Sequence, residues 1–424
     1  MKESTDAGSI AWSPTERPDW VARVNQEGRY LDLDSVAPLD ENSLLAAARA
    51  RTGLSDFGDS DNWRESFQVF IKSLREEAQL NLIGRLMTRS DLINMLAARL
   101  EIEETYRLYP EIHEQQIVRP VMIVGQARTG TSLLLNVLSQ DPGNGSLKHW
   151  ECIYPCPPPE RASYSADPRI ARADHLVRQW NRVNPELVSC HEFNARVPTE
   201  ASHAMTLNFS GAPFLALLGQ TPSHNAFLQQ QGVAPGLYYL KKVLRLLQWK
   251  NPRKHWILKA PDAILYMPAL LEVFPDMRFV WTHRDPLKAS DSVVNMYCNC
   301  MWVRSDNPFI GGVLEQMINP EFAGQLLNQP IQWMESGVIP AGRVCNILFL
   351  ELEGNALGEV RRLYAELDMD LSSRALAAMQ QYMRDNPRGA RPPANYTSIQ
   401  AGARLAQRQQ VAHYQEYFNV QSEC

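Results

Sequence analysis

Pro120-Val-Met-Ile-Val-Gly125-Gln-Ala-Arg-Thr-Gly130-Thr-Ser-Leu-Leu134 is the stretch whose reading decides the fold. Its opening apolar run, Pro120 to Val124, has the length and β-branched content of a buried strand. From Thr131 to Gln140 leucines recur at helical spacing. The glycine-bounded loop between them nearly matches the phosphate-binding pattern G-x4-G-K-[ST], with Thr131 where the lysine belongs. Gly130 permits a tight turn, so that successive backbone N–H groups face one concavity at the helix N-terminus. Thr129, Thr131 and Ser132 add hydroxyl donors, and Arg128 adds a cation. The lysine that reaches β- and γ-phosphates is missing, and no acidic position suited to magnesium follows the later strands. The loop therefore suits a compact anion such as a 5′-phosphate better than a magnesium triphosphate. The bland alternative is a purely structural strand-to-helix turn.

Working outward, Trp256 to Leu258 reads as a second strand, followed by a helix over about Asp262 to Phe274 bent at Pro268. Arg278 to Thr282 is a third strand, with a helix from Pro286, a first-turn proline. Val344 to Leu350 is a fourth, with Leu357 to Leu367 the helix after it. This alternation predicts an α/β fold: a three-layer, P-loop-like parallel sheet flanked by helices. Ligands of such sheets bind at the carboxyl ends of the strands, where the loops 125–130 and 283–285 would both lie. Residues 1 to about 40 read as a polar arm, and about 41 to 115 as helices, with Asn62 and Ser90 as caps. The expected division is an arm and helical N-terminal extension over 1–115 and the α/β domain, with its C-terminal segment, over 116–424.

The chain has 424 residues, 45% hydrophobic and 21% charged, with 42 basic and 47 acidic residues and a net charge of −5. A nucleic-acid binder working through overall charge would be basic, so no nucleic-acid partner is expected. No apolar run is long enough to span a bilayer and no secretory leader opens the chain, so a cytoplasmic location is expected. The seven cysteines lack zinc-site spacing and read as reduced thiols, without a metal. The sequence leaves a homo-oligomer open.

The segment from Pro120 to Leu134 strongly resembles the 5′-phosphosulfate loop of sulfotransferases that use 3′-phosphoadenosine 5′-phosphosulfate (PAPS). A second motif agrees: in Thr282-His-Arg284-Asp-Pro-Leu-Lys-Ala-Ser-Asp-Ser292 an arginine ends a strand and a serine follows on the next helix. In that family the pair holds the 3′-phosphate, and an arginine fork with a hydroxyl suits a phosphate dianion. Without the resemblance Arg284 would read as a surface ion-pair residue. The likeness extends over roughly 41–420 and is to bacterial-type sulfotransferases with a helical N-terminal extension. Thr52-Gly53-Leu54, Asp141-Pro142, Trp150-Glu151 and Lys259-x-Pro261 fit that pattern. Asn386-Pro387 through Tyr396 resembles the loop that closes over the nucleotide, with Arg388 and Arg391 replacing a basic pair. Ala127 and Ala263 depart from the pattern, where a proline and a histidine are usual.

The resemblance implies transfer of a sulfuryl group from PAPS to a hydroxyl of a small-molecule, lipid or carbohydrate acceptor, giving PAP and a sulfate ester without a metal. Such transfer needs a base, in-line placement and cations around the developing charge. Glu151 is the expected base, because resembling enzymes carry a glutamate there and Trp150 and Cys152 would desolvate it. Lys259, leaving a strand end, and Arg128 are expected to stabilise the transferred group and the leaving phosphate. His149 and His191 are rival bases. Trp180, Phe193, Phe209, Phe214, Tyr297 and Trp302 hint at an apolar acceptor, with its walls from 150–240 and 296–335. The alternatives are a P-loop nucleotide kinase-like enzyme and a non-catalytic PAP/PAPS-binding protein.

Overall fold

A computed structural model of the chain describes residues 12–58, 63–190, 193–307, 319–387 and 401–423, with the backbone alone at 290–292 and 401–404. Five strands form one parallel sheet: β1 (Val121–Val124), β2 (Asn144–Gly145), β3 (His255–Lys259), β4 (Arg278–His283) and β5 (Val344–Leu348), in the order β2-β3-β1-β4-β5. The register sets Val121 beside both Ile257 and Arg278, and Phe279 beside Val344. β1 is buried throughout because it is central, and its residues alternate between two cores. Met122 and Val124 join Trp256, Leu258, Phe279 and Trp281 on one face. Val121 and Ile123 join Leu134, Leu138, Ile257, Val280 and Ile347 on the other. Helices Thr131–Leu138, Phe349–Glu366 and Ser373–Asp385 cover that second face. Each such large apolar side chain contributes about 1.5–3 kcal/mol by leaving water, and truncating the fully buried Trp281 to alanine would cost roughly 3–5 kcal/mol.

The helical N-terminal extension shares the first core. Helix Trp63–Glu76 sets Phe67 with its ring centroid 4.8 Å from that of Phe209. Helix Leu82–Leu108 is continuous, so Ser90 is interior to it; the cap is Asn81, whose side chain accepts from the Gly84 N–H at 2.9 Å. Gly84 is needed for contact, since a Cβ there would come within 1.9 Å of the Arg304 carbonyl oxygen. Arg304 in turn is buried and pairs with Asp91 at 2.6 Å. Asn62, expected as a cap, lies outside the described residues.

Three further expectations are corrected. The arm before residue 41 contains helices Asp19–Gly28 and Leu33–Val36, the second capped by Asp32. Pro268 does not bend a helix: a 3-10 turn, Pro261–Leu265, ends at Tyr266, and Pro268 sits in the first turn of a new helix, Met267–Val273. β5 stops at Leu348 and its helix begins at Phe349, with a break at Asn355.

Candidate active site

The loop after β1 has the geometry of an anion cradle. Gly125 (φ +132°) and Gly130 (φ +93°) occupy backbone conformations that side chains oppose. A Cβ on Gly125 would also come within 2.6 Å of the Thr282 carbonyl oxygen, and one on Gly130 within 2.9 Å of Leu352. Gly130 caps helix Thr131–Leu138, leaving the first N–H groups of that helix facing the loop. Arg128 is exposed on a left-handed φ of 74°. Thr129 is corrected as a hydroxyl donor to a ligand. Its buried Oγ1 donates to the Gln126 carbonyl at 2.6 Å and lies 2.6 Å from Thr282 Oγ1, which ties the loop to β4. Thr131 is buried; Ser132 is exposed.

Lys259 leaves β3 where that strand pairs with Ile123, one strand from the loop. Its ammonium donates to Ser132 Oγ at 3.2 Å and pairs with Glu200 Oε1 at 2.8 Å; the lysine side chain is 5% exposed and the glutamate 27%. Glu200 is brought there by a short bridge between Lys148 and Pro198, continued by the Thr199 N–H to the Leu147 carbonyl at 2.8 Å.

Glu151 lies elsewhere. It is 0% exposed. Oε2 accepts the Lys148 N–H at 2.9 Å, at the start of helix His149–Ile153, and Oε1 accepts from the Tyr164 hydroxyl at 2.9 Å. Arg253 stands 3.8 Å away. Burial raises its pKa, as expected from Trp150 and Cys152, against the pull of Arg253. Each oxygen accepts a hydrogen bond and Glu151 does not line the large cavity beside the loop; in this structure the residue expected as base holds the 148–164 segment together. His149 is also buried, against Phe193 and His203, and lines a different, small cavity with Trp180 and Phe214. His191 lies outside the described residues.

The second motif meets the loop. Arg284 Nη1 donates to the Arg128 carbonyl at 3.1 Å, and its guanidinium stacks 4.0 Å from the Phe349 ring centroid. Its remaining fork, Nε and Nη2, binds both carboxylate oxygens of Glu423 at 2.8 Å each. An arginine fork that receives a carboxylate is shaped for phosphate as well. Next to it, Asp285 accepts the Glu423 N–H at 2.7 Å and the fork of Arg408 at 2.8 and 3.0 Å. His283 points away, between the Tyr414 hydroxyl (3.0 Å) and Asn346 (2.9 Å), and burial pushes its pKa down to about 4. Ser292 lies on helix Pro286–Trp302, its side chain outside the described set; Arg388 and Arg391 fall outside the described residues altogether.

A cavity of about 410 Å³ opens beside the loop, bounded by Gly125, Gln126 and Ala127 at one end. Its walls are largely apolar, among them Met205, Leu228, Val293, Met296, Phe322 and Leu326. The wall segments are those expected, joined by 261–266, 286–293, Gln407 and Val411. Of the six aromatic residues expected there only Tyr297 lines it, while Phe209 belongs to the core. Glu200 and Asp262 are its only charged residues among the described lining. The sequence gives neither a reactive signature: Glu200 falls within the expected wall segment 150–240, and Asp262 directly follows Lys259-x-Pro261.

A strand-loop-helix anion cradle, with a lysine at the end of the strand on one side of it and an arginine fork at the end of the strand on the other, gathers anion-binding groups at one edge of the sheet, and the comparisons give the family. The model described as the sulfotransferase family matches residues 120–373, more than half of the chain, and the chain belongs to that family. Among curated proteins it is similar to the omega-hydroxy-beta-dihydromenaquinone-9 sulfotransferase Stf3 of Mycobacterium bovis, 25% identical over 281 residues covering 63% of this chain and 67% of the relative. Among solved structures it is similar to sulfotransferase STF9 from Mycobacterium avium (TM-score 0.76, 25% identity, 90% of this chain and 97% of that one). Sulfotransferase STF1 from Mycobacterium tuberculosis is likewise similar (TM-score 0.72, 25% identity, 89% and 98%).

Proposed function

We propose that the protein moves a sulfuryl group from PAPS to the hydroxyl of an apolar, lipid-like acceptor, with Glu200 as the base. The observation that carries this reading is the Ser132–Lys259–Glu200 chain of contacts, which joins the anion cradle to the mouth of an apolar cavity. The loop from Gly125 to Ser132 would hold the 5′-phosphosulfate on its N–H groups, and Arg284, helped by Ser292, the 3′-phosphate. Arg388 and Arg391 remain proposed as nucleotide contacts through the resemblance alone. The Glu423 carboxylate on the Arg284 fork supports the anion assignment, since the fork already receives a fixed negative charge there.

In the transfer the acceptor oxygen forms a bond to sulfur, the bond from sulfur to the 5′-phosphate oxygen breaks, and the hydroxyl proton passes to Glu200. Lys259 supplies positive charge to the transferred group and the leaving phosphate, with Arg128 adding to it from the loop. Fixed donors of this kind act on developing charge without reorganisation. The apolar walls exclude water, which would otherwise compete as the acceptor. They also favour a lipid over a carbohydrate, whose hydroxyls would find few partners. The related Stf3, whose name describes a lipid substrate, supports the same choice.

The test is PAP binding by calorimetry together with turnover from PAPS onto long-chain alcohols. Glu200→Gln is expected to keep PAP affinity within about twofold and to lose 10²–10⁴-fold in turnover, the usual scale for a removed general base. Full turnover in that variant would remove Glu200 from the role. Failure of the wild-type chain to bind PAP would remove the nucleotide reading.

A further inference from the structure

The Arg284 fork rests on a residue that belongs to neither sequence motif. β4 and β5 run parallel with His283 paired to Leu348, so Arg284 and Phe349 leave the sheet side by side, each as the next residue of its strand. Phe349 opens the helix Phe349–Glu366 and is half-buried there. Its ring centroid lies 4.0 Å from the Arg284 guanidinium carbon, close contact for a cation on an aromatic face. The same ring closes on the phosphate loop: a Cβ on Gly130 would stand 3.2 Å from Phe349 Cδ2. One side chain therefore touches both anion-binding elements. Among the described residues the guanidinium is held by this ring, by the Arg128 carbonyl at 3.1 Å and by the Glu423 carboxylate. In the reading above, the carboxylate is the partner that an incoming 3′-phosphate replaces. What then remains from the protein is Phe349 and one bond to a neutral carbonyl. An arginine side chain has much rotamer freedom to lose, and stacking on a ring fixes the plane of its fork before the anion arrives.

We propose that Phe349 is the positioning residue of the 3′-phosphate site: its ring fixes the Arg284 guanidinium beside the loop and so sets the preference for nucleotides that carry a 3′-phosphate as well as a 5′-phosphate. Phe349 acts through Arg284 and touches no reacting atom. This rests on the reading of Arg284 as the 3′-phosphate residue.

The experiment titrates PAP and adenosine 5′-phosphate by calorimetry into the full chain carrying Glu423→Ala. That background matters because the tail carboxylate and the 3′-phosphate share the fork, so a loosened fork would weaken both and mask the effect. The parent is expected to prefer PAP. In Phe349→Leu the preference should fall about fivefold, the scale of one partly sheltered cation–π contact, while adenosine 5′-phosphate changes by less than about twofold. Phe349→Tyr keeps an electron-rich face and should hold the preference within about twofold of the parent. Pentafluorophenylalanine incorporated at position 349 keeps the shape of the ring but removes the negative charge of its face, so it should lose as much preference as leucine. A side chain that only fills space would not respond to that change, and this variant also answers where the leucine variant fails to fold. An unchanged preference in Phe349→Leu or with pentafluorophenylalanine would overturn the proposal, as would an equal loss for both nucleotides. Absence of any preference for PAP in the parent would instead strike the Arg284 reading, and this proposal with it.

Discussion

If Arg284 binds the 3′-phosphate, Glu423 must leave first. The pair is bidentate at 2.8 Å, with the two side chains 18% and 19% exposed, so it is neither fully screened nor fully desolvated. Hydrogen bonds to charged groups contribute about 1.5–3 kcal/mol when sheltered and well under 1 kcal/mol when an ion pair is open to solvent. A value of about 1–2 kcal/mol fits this partial burial. Glu423→Ala is then expected to tighten PAP by about five- to thirtyfold, because the competent form of the site no longer competes with an internal anion. Adenosine 5′-phosphate lacks the 3′-phosphate and has no use for the Arg284 fork, so its Kd should change by less than about twofold. Calorimetric titration of both nucleotides into both proteins at fixed salt gives the comparison. An unchanged PAP Kd in Glu423→Ala, or equal tightening of both nucleotides, would refute the reasoning. Arg284→Ala supplies the complementary measurement: it should remove the preference for PAP over adenosine 5′-phosphate.

The other predictions concern the carboxylates and the lysine. Glu151→Ala should lower stability by about 3–5 kcal/mol in urea unfolding, because Arg253 and Lys148 lose a buried counter-charge, while the folded fraction keeps its turnover per molecule; a stable but inactive variant would return Glu151 to the base role. Lys259→Ala should cost about 10²–10³-fold in kcat, the scale seen for removed transition-state donors, and an undiminished kcat would show that the lysine only anchors Glu200. Asp262 has a carboxyl raised above its ordinary value, so its folded form binds the proton more tightly than its unfolded form. Its contribution is present at low pH and is lost as pH rises from about 4 through about 7, with roughly 4 kcal/mol as the ceiling. The fall in melting temperature over that window should be shallower in Asp262→Asn, and an identical slope would count against the raised carboxyl.

The sheet was legible because β1, β3 and β4 are buried on both faces and therefore read as unbroken apolar runs. β2, two residues long, has no periodicity to read and exists through its pairing with His255 and Trp256. Helix boundaries were less legible where tertiary contacts decide them. Ser90 is a good cap by composition, but Leu82–Leu108 runs through it because Leu92, Leu96 and Leu100 are all buried in one core.

The same division holds at the site. The cradle and Arg284 could be placed because a loop between a strand and a helix fixes its own geometry within a dozen residues, and Arg284 simply ends the neighbouring strand. The direction of a carboxylate could not, because sequence distance from the loop does not fix it. Glu151 and Glu200 both follow the β2 edge, and both are within a few residues of the Lys148–Pro198 bridge. At that bridge the chain turns one glutamate inward, onto Lys148 N–H and Tyr164, and carries the other across to Lys259. A glutamate that is fully buried, with each oxygen taking a donor from its own helix start or a neighbouring tyrosine, lies outside the lining of the cavity beside the loop. A glutamate whose partner is the lysine beside the phosphate loop has no described partner on its second oxygen, and its charge is coupled to the groups proposed to bind the nucleotide. Proton uptake by Glu200, as proposed, would neutralise it and weaken its hold on Lys259 just as negative charge grows on the leaving phosphate, so one lysine would serve the base before transfer and the nucleotide during it.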